Sequence, residues 1–145
     1  MRFSRHFAHW PPGQPKELEL PRESVYANLE RTAAKHPARA AIDYYGSRLS
    51  FAELKRQVDA MAGFLQQRCG VARGERVLLY AQNSPQFVIA YYAILRADAV
   101  VVPVNPMNRT EELRHYVEDA DARGAIVGND VLGEIEPLGL EHVLP

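Results

Sequence analysis

Cysteine, lysine and glycine-rich motifs are scarce in this chain, and each scarcity removes a class of function. A single cysteine, Cys69, excludes an internal disulfide framework and suits a reducing compartment. The only lysines are Lys16, Lys35 and Lys55, and the 17 basic residues are outnumbered by 18 acidic ones, leaving a net charge of −1. A protein held to nucleic acid by phosphate contacts needs an excess of positive charge, so no nucleic-acid partner is expected. No G-x-x-x-x-G-K-[ST] phosphate loop, G-x-G-x-x-G fingerprint or G-x-S-x-G nucleophile elbow occurs. Long apolar runs are missing too. The best candidate, Phe87 to Val104, is broken by Arg96, Asp98 and Pro103, and charge at bilayer depth is costly, so it reads as buried structure rather than a transmembrane segment. Met1 to Pro15 lacks the apolar core of a secretory signal. A cytoplasmic location is the expectation, with attachment to a membrane surface left open.

What remains is the composition of one globular domain. The chain has 145 residues, of which 47% are hydrophobic and 24% charged. A chain of that length buries enough surface to hold a core without staples. Residues 1–23 read as an irregular arm, because Pro11, Pro12, Gly13, Pro15 and Pro21 interrupt any regular element. His6 and His9 lie in that arm without acidic or cysteine partners, so no metal site is expected.

From Ser24 the pattern becomes regular. A helix is expected from Ser24, its cap, to Lys35, with Pro37 as its stop. Ala40 to Tyr45 reads as a strand, Gly46-Ser47 as a tight turn, and Arg48 to Ser50 as an antiparallel return. Ser50 and Glu53 form a capping box for the next helix. Phe51, Leu54, Val58, Met61 and Leu65 share its apolar face, and Gly70 ends it. Arg76 to Ala81 is an apolar strand. Asn83 and Ser84 cap the helix that follows, with Pro85 at its first position. Such a helix start can also hold an anion, although capping alone accounts for these residues.

Phe87 to Leu95 is apolar all round, as in a helix buried on most sides. Val100 to Val104 is a second β-branched strand. Thr110 is the expected cap of a helix with Leu113, Tyr116, Val117 and Ala120 facing inward. Gly124 to Gly128 and His142 to Leu144 are further strands. Alternating strands and helices, with continuous apolar strands, predict an α/β domain with a mostly parallel sheet and helices on both faces. Ligands on such sheets sit beyond the carboxyl ends of the strands, here Gln82-Asn83-Ser84 and Asn105-Pro106-Met107-Asn108.

Four segments, in order and spacing, resemble the N-terminal part of the AMP-forming acyl-CoA synthetases, members of the wider adenylate-forming group. Leu49-Ser50-Phe51-Ala52-Glu53-Leu54 is similar to the family's L-[ST]-[YF]-x-E-L. Gly74-Glu75-Arg76-Val77 resembles G-D-R-V, and Asn83-Ser84-Pro85-Gln86-Phe87 resembles N-S-P-E-F. Leu95 to Pro106 resembles L-K-A-G-A-V-x-V-P-L-N-P, which includes Pro103. The likeness runs from Ser24 to about Val143. The arm segment His9-Trp10-Pro11-Pro12-Gly13 is most like the subgroup acting on longer acyl chains.

The resemblance implies a two-step ligase. A fatty or other carboxylic acid and ATP give an acyl-adenylate and pyrophosphate, and coenzyme A thiol then displaces AMP. ATP, Mg²⁺ and coenzyme A are implied for the full-length enzyme, and none is expected on this chain alone. The family's phosphate loop, ribose-binding aspartate and catalytic lysine have no counterpart here. The expectation is therefore a partial N-terminal α/β subdomain over residues 24–145 with no catalytic residue.

Two departures from the family carry expectations. Some members place a basic residue just after the N-P pair, in reach of a coenzyme A phosphate. Met107 stands there, so Arg109 is the candidate substitute, and a solvated loop arginine is its structural alternative. Asp98 replaces a usual glycine and is expected near the left-handed conformation, which aspartate tolerates better than most residues. Two other readings compete with the ligase. One is a stand-alone acyl- or nucleotide-binding module. The other is an oligomerising domain, a homodimer through an exposed sheet edge or helix face.

Overall fold

The computed structural model describes residues 4–145. The first three residues of the arm lie outside that range. Arg5–His9 form one 3₁₀ turn, after which the arm has no helix or strand until Val25. The turn gathers aromatic rings: Phe7 lies 5.6 Å from Trp10 and 4.2 Å from His6.

Helix α1 (Val25–Lys35) starts after Ser24, whose side chain makes no capping bond, contrary to the sequence expectation. Strands β1 (Ala40–Tyr44) and β2 (Ser47–Ser50) form an antiparallel hairpin that stands apart as its own two-stranded sheet. Its turn falls one residue earlier than expected. Tyr45 and Gly46 have φ of 47° and 81°, the mirror-image turn whose twist matches that of the strands. Helix α2 (Phe51–Gln67) carries the expected capping box. The Ser50 hydroxyl accepts from the Glu53 N–H, and the Glu53 carboxylate accepts from the Ser50 N–H.

The main sheet holds β3 (Arg76–Tyr80), β4 (Val100–Val104), β5 (Gly124–Val127) and β6 (His142–Leu144), in the order β4-β3-β5-β6 and wholly parallel. Helix α3 (Pro85–Arg96) joins β3 to β4, and α4 (Thr110–Ala120) joins β4 to β5. A short α5 (Leu132–Ile135), flanked by 3₁₀ turns, lies between β5 and β6. Alternate residues of the strands serve opposite cores. Val77, Leu79 and Ile126 pack with α1, α2 and α3, whereas Leu78, Tyr80, Ala125 and Val127 pack with Leu113 of α4 and Ile135 of α5. The inner strands β3 and β5 are buried along almost their whole length, as continuous apolar runs require.

Helix α3 buries Ala90, Ala93 and Ile94, and its other apolar residues stay half-buried. Its end shows why Asp98 tolerates the place of a glycine. Asp98 has φ 59°, its N–H donates to the Leu95 carbonyl, and the Ala99 N–H donates to Ile94. That is the left-handed helix stop with its paired hydrogen bonds. The Asp98 carbonyl then accepts from the Gly74 N–H at 2.8 Å and ties the stop to the start of β3. Helix α4 departs from expectation on its inward face. Leu113 is buried, but Tyr116 turns outward, where its hydroxyl accepts from Asn108.

Candidate functional site

Strand order fixes where a site can form. The chain leaves β3 toward α3 on one face of the sheet and leaves β5 toward α5 on the other, although β3 and β5 are neighbours. Their exit loops diverge and open a crevice between the strand ends, the usual ligand position in doubly wound sheets. A cleft of about 570 Å³ lies there. Leu79 and Ile126 form its floor, and Met61 of α2 with Phe87 and Ala90 of α3 form a wall. Its mouth carries Gln57, Gln82, Ser84, Gln86, Asn129 and Asp130.

That mouth is almost uncharged. No lysine or arginine lines the cleft, and Asp130 is its single charged side chain. Ser84 is committed to helix α3, since its hydroxyl accepts from the Phe87 N–H at 3.1 Å while Pro85 supplies no N–H at all. Ser84 thus does the capping that the sequence shared between Asn83 and Ser84. The Asp130 carboxylate folds back over Gly128, where a Cβ would meet its oxygen at 2.6 Å, so a larger residue there would push the Asp130 side chain aside. A triphosphate needs cationic partners, and this cleft offers none.

The second place of interest is the loop after β4, residues 105–109. Tyr80, buried in the sheet, sends its hydroxyl out beneath the loop and donates to the Asn108 carbonyl at 2.7 Å. Burial raises the pKa of that phenol, so it stays a donor at neutral pH. The Asn105 side chain accepts from the Met107 N–H, and the Asn108 amide donates to Tyr116. The loop is held from within.

Arg109 lies at the end of this loop, and the structure pairs it. Its guanidinium donates to Glu134 of α5 at 2.7 Å. The same carboxylate accepts from the Thr110 N–H at 3.0 Å and the Thr110 hydroxyl at 2.8 Å. Thr110 is therefore not the cap that the sequence suggests. Its hydroxyl is drawn to Glu134, Arg109 takes the cap position, and the Arg109 N–H donates to Glu112. Hydrogen bonds from Arg109 and then Thr110 hold the Glu134 carboxyl below its ordinary range. Glu134 was invisible to sequence reasoning because it comes from a different element 24 residues downstream of Thr110.

Ser50 and Glu53 lie at the start of α2, away from both places, and serve the helix. Hydrogen bonds from the Ser50 side chain and then its backbone lower the Glu53 pKa. Asp98 closes α3 at the opposite end of the sheet, and Pro103 lies in edge strand β4. Among the described residues, no group of three or more His, Cys, Asp or Glu side chains is placed to hold a metal ion. No helix among the described residues is long and apolar enough to cross a membrane.

Comparison with known proteins fits this architecture. The chain is 36% identical over 125 residues to a long-chain-fatty-acid–CoA ligase of Bacillus subtilis, covering 86% of this chain and 22% of that protein. A Haemophilus influenzae protein of the same name is 31% identical, with 95% of this chain and 25% of the relative covered. Among solved structures, the N-terminal subdomain of Klebsiella oxytoca NpsA, in complex with anthranilyl-AMSN, superimposes with a TM-score of 0.76 at 28% identity, covering 85% of this chain and 31% of that one. The chain thus spans about a quarter of the length of the curated relatives it matches. The family model for AMP-binding enzymes matches residues 29–143, and the chain belongs to that family.

Proposed function

We propose that this chain forms the opening α/β unit of an ATP-dependent acyl-CoA ligase and catalyses neither step by itself. In the whole reaction a carboxylate and ATP give an acyl-adenylate and pyrophosphate, and coenzyme A thiol then displaces AMP to give the thioester. Long-chain fatty acids are the favoured acids, because the ligases reported above carry that name. One observation carries the proposal of incompleteness. The crevice at the strand ends has no lysine or arginine to meet a triphosphate, and the arginine that ends the loop after β4 is already paired. The test is pyrophosphate release by the purified chain with ATP, Mg²⁺, palmitate and coenzyme A. No turnover above background is expected, and clear turnover overturns the proposal. Binding of an acyl-adenylate analogue without turnover would move the assignment to a stand-alone binding module.

Arg109 is assigned, within the same proposal, to a phosphate of coenzyme A. It is well exposed, and an incoming phosphate has to displace the Glu134 carboxylate. The exchange of one anion for another is what makes the assignment testable on this chain. Glu134→Gln weakens the hold on Arg109, so adenosine 3′,5′-bisphosphate should bind the variant more tightly than the wild type, and Arg109→Ala should abolish the gain. Equal affinity in all three proteins removes the assignment.

A further inference from the structure

Strand β4 is an edge strand, and its backbone can be followed residue by residue. The Val100 N–H donates inward to the Glu75 carbonyl at 2.8 Å, in a register that pairs Val100 with Arg76. Successive peptide groups of a strand point to opposite sides, so Val102 and Val104 also bond inward to β3. Val101 and Pro103 therefore turn their backbone outward, to the open edge. Pro103 has no N–H, and it occupies one of only two outward positions in this five-residue strand. Val101 is left as the one outward donor.

The side chains make that edge attractive. Val100, Val101, Val102 and Val104 are β-branched, Val100 is 47% exposed, and no charge lies within the strand. An apolar, β-branched, uncharged edge is a template for another strand. Proline on the outward side is compatible with the existing ladder and blocks a new one. Strand β6, the other edge, is only three residues long and has no internal proline.

We propose that Pro103 keeps the β4 edge closed to strand addition, so that this face of the sheet does not pair with a second copy of the chain. Its place is fixed by register. At position 102 or 104 a proline would cost a bond to β3, and at 103 it costs nothing within the fold. The homodimer through an exposed sheet edge, an alternative reading of the sequence, is thereby disfavoured at β4.

The test compares the wild-type chain with Pro103→Val and Pro103→Ala by sedimentation over a range of concentrations, together with amide exchange at Val101. Both substitutions restore the outward donor. Pro103→Val should show a weight-average mass that rises with concentration beyond that of the wild type, toward about twofold for a closed pair. Pro103→Ala should show a smaller rise, since alanine is the poorer strand former. The Val101 amide should become protected as association proceeds. Unchanged sedimentation in both variants overturns the proposal. So does association without Val101 protection, because another surface would then be responsible. Loss of the fold in both variants would show that Pro103 maintains the strand rather than guarding it.

Discussion

The loop after β4 and the cleft between β3 and β5 lie at the same end of one sheet, yet they treat their polar groups in opposite ways. In the loop the polar groups are paired: Tyr80 with the Asn108 carbonyl, Asn105 with the Met107 N–H, the Asn108 amide with Tyr116, and Arg109 and Thr110 with Glu134. At the cleft, the amides of Gln57, Gln82 and Gln86 face the opening over an apolar floor. The difference teaches where this fold spends its charge. The loop carries the candidate cation but holds it in an internal pair, while the cleft has the shape of a ligand site without the charge for a phosphate.

Paired substitutions break that comparison most sharply. Tyr80→Phe keeps the buried ring and removes one hydroxyl, leaving the Asn108 carbonyl without its donor. A loss of about 1–2 kcal/mol in unfolding free energy is expected. Gln82→Ala on the cleft side should change stability by no more than about 0.5 kcal/mol, as for a solvated surface group. Urea unfolding of the two variants beside the wild type makes the measurement. Equal effects would mean that the loop is no more internally held than the cleft.

Much of the fold was legible in the sequence because it is written in short-range signals. The Ser50–Glu53 box, Gly70 after α2, Pro85 at the start of α3 and the β-branched run of β4 are all local, and each lies where the pattern placed it. Asp98 was legible for the same reason, since a helix stop before a strand demands a left-handed residue. Thr110 was misread because its partner is tertiary: a carboxylate on α5 outcompetes the local cap. Tyr116 was misplaced because helical spacing says which residues share a stripe, and only packing decides that the Asn108 side chain meets Tyr116 outside. Helix α5 itself is four residues long between Gly128 and Pro137, too short for periodicity to reveal. The cleft follows from strand order, which no local pattern encodes.

Acid gives a smaller and more selective way to sharpen the comparison. Glu134 is held below the ordinary carboxylate value of 4.5, first by Arg109 and then by Thr110, whereas no carboxylate with such partners lines the cleft. A carboxyl whose pKa is depressed on folding binds protons more readily in the unfolded chain. Its contribution to stability is therefore complete above the unfolded value and is lost as pH falls through the lower folded one. Protonation weakens the acceptor shared by the Arg109 guanidinium, the Thr110 N–H and the Thr110 hydroxyl, so the Thr110 amide should begin to lose protection below pH 4.5 while Tyr80 and Val127 in the sheet stay protected. Glu53 titrates in the same direction at the start of α2, which makes a site-resolved readout necessary. Glu134→Gln supplies the control, because it retains an acceptor and cannot titrate. Its Thr110 exchange should be faster than wild type at neutral pH and should lack the acid step. An acid step that survives in the variant would place the pH response in another carboxyl and leave the Arg109 pair as an ordinary surface contact.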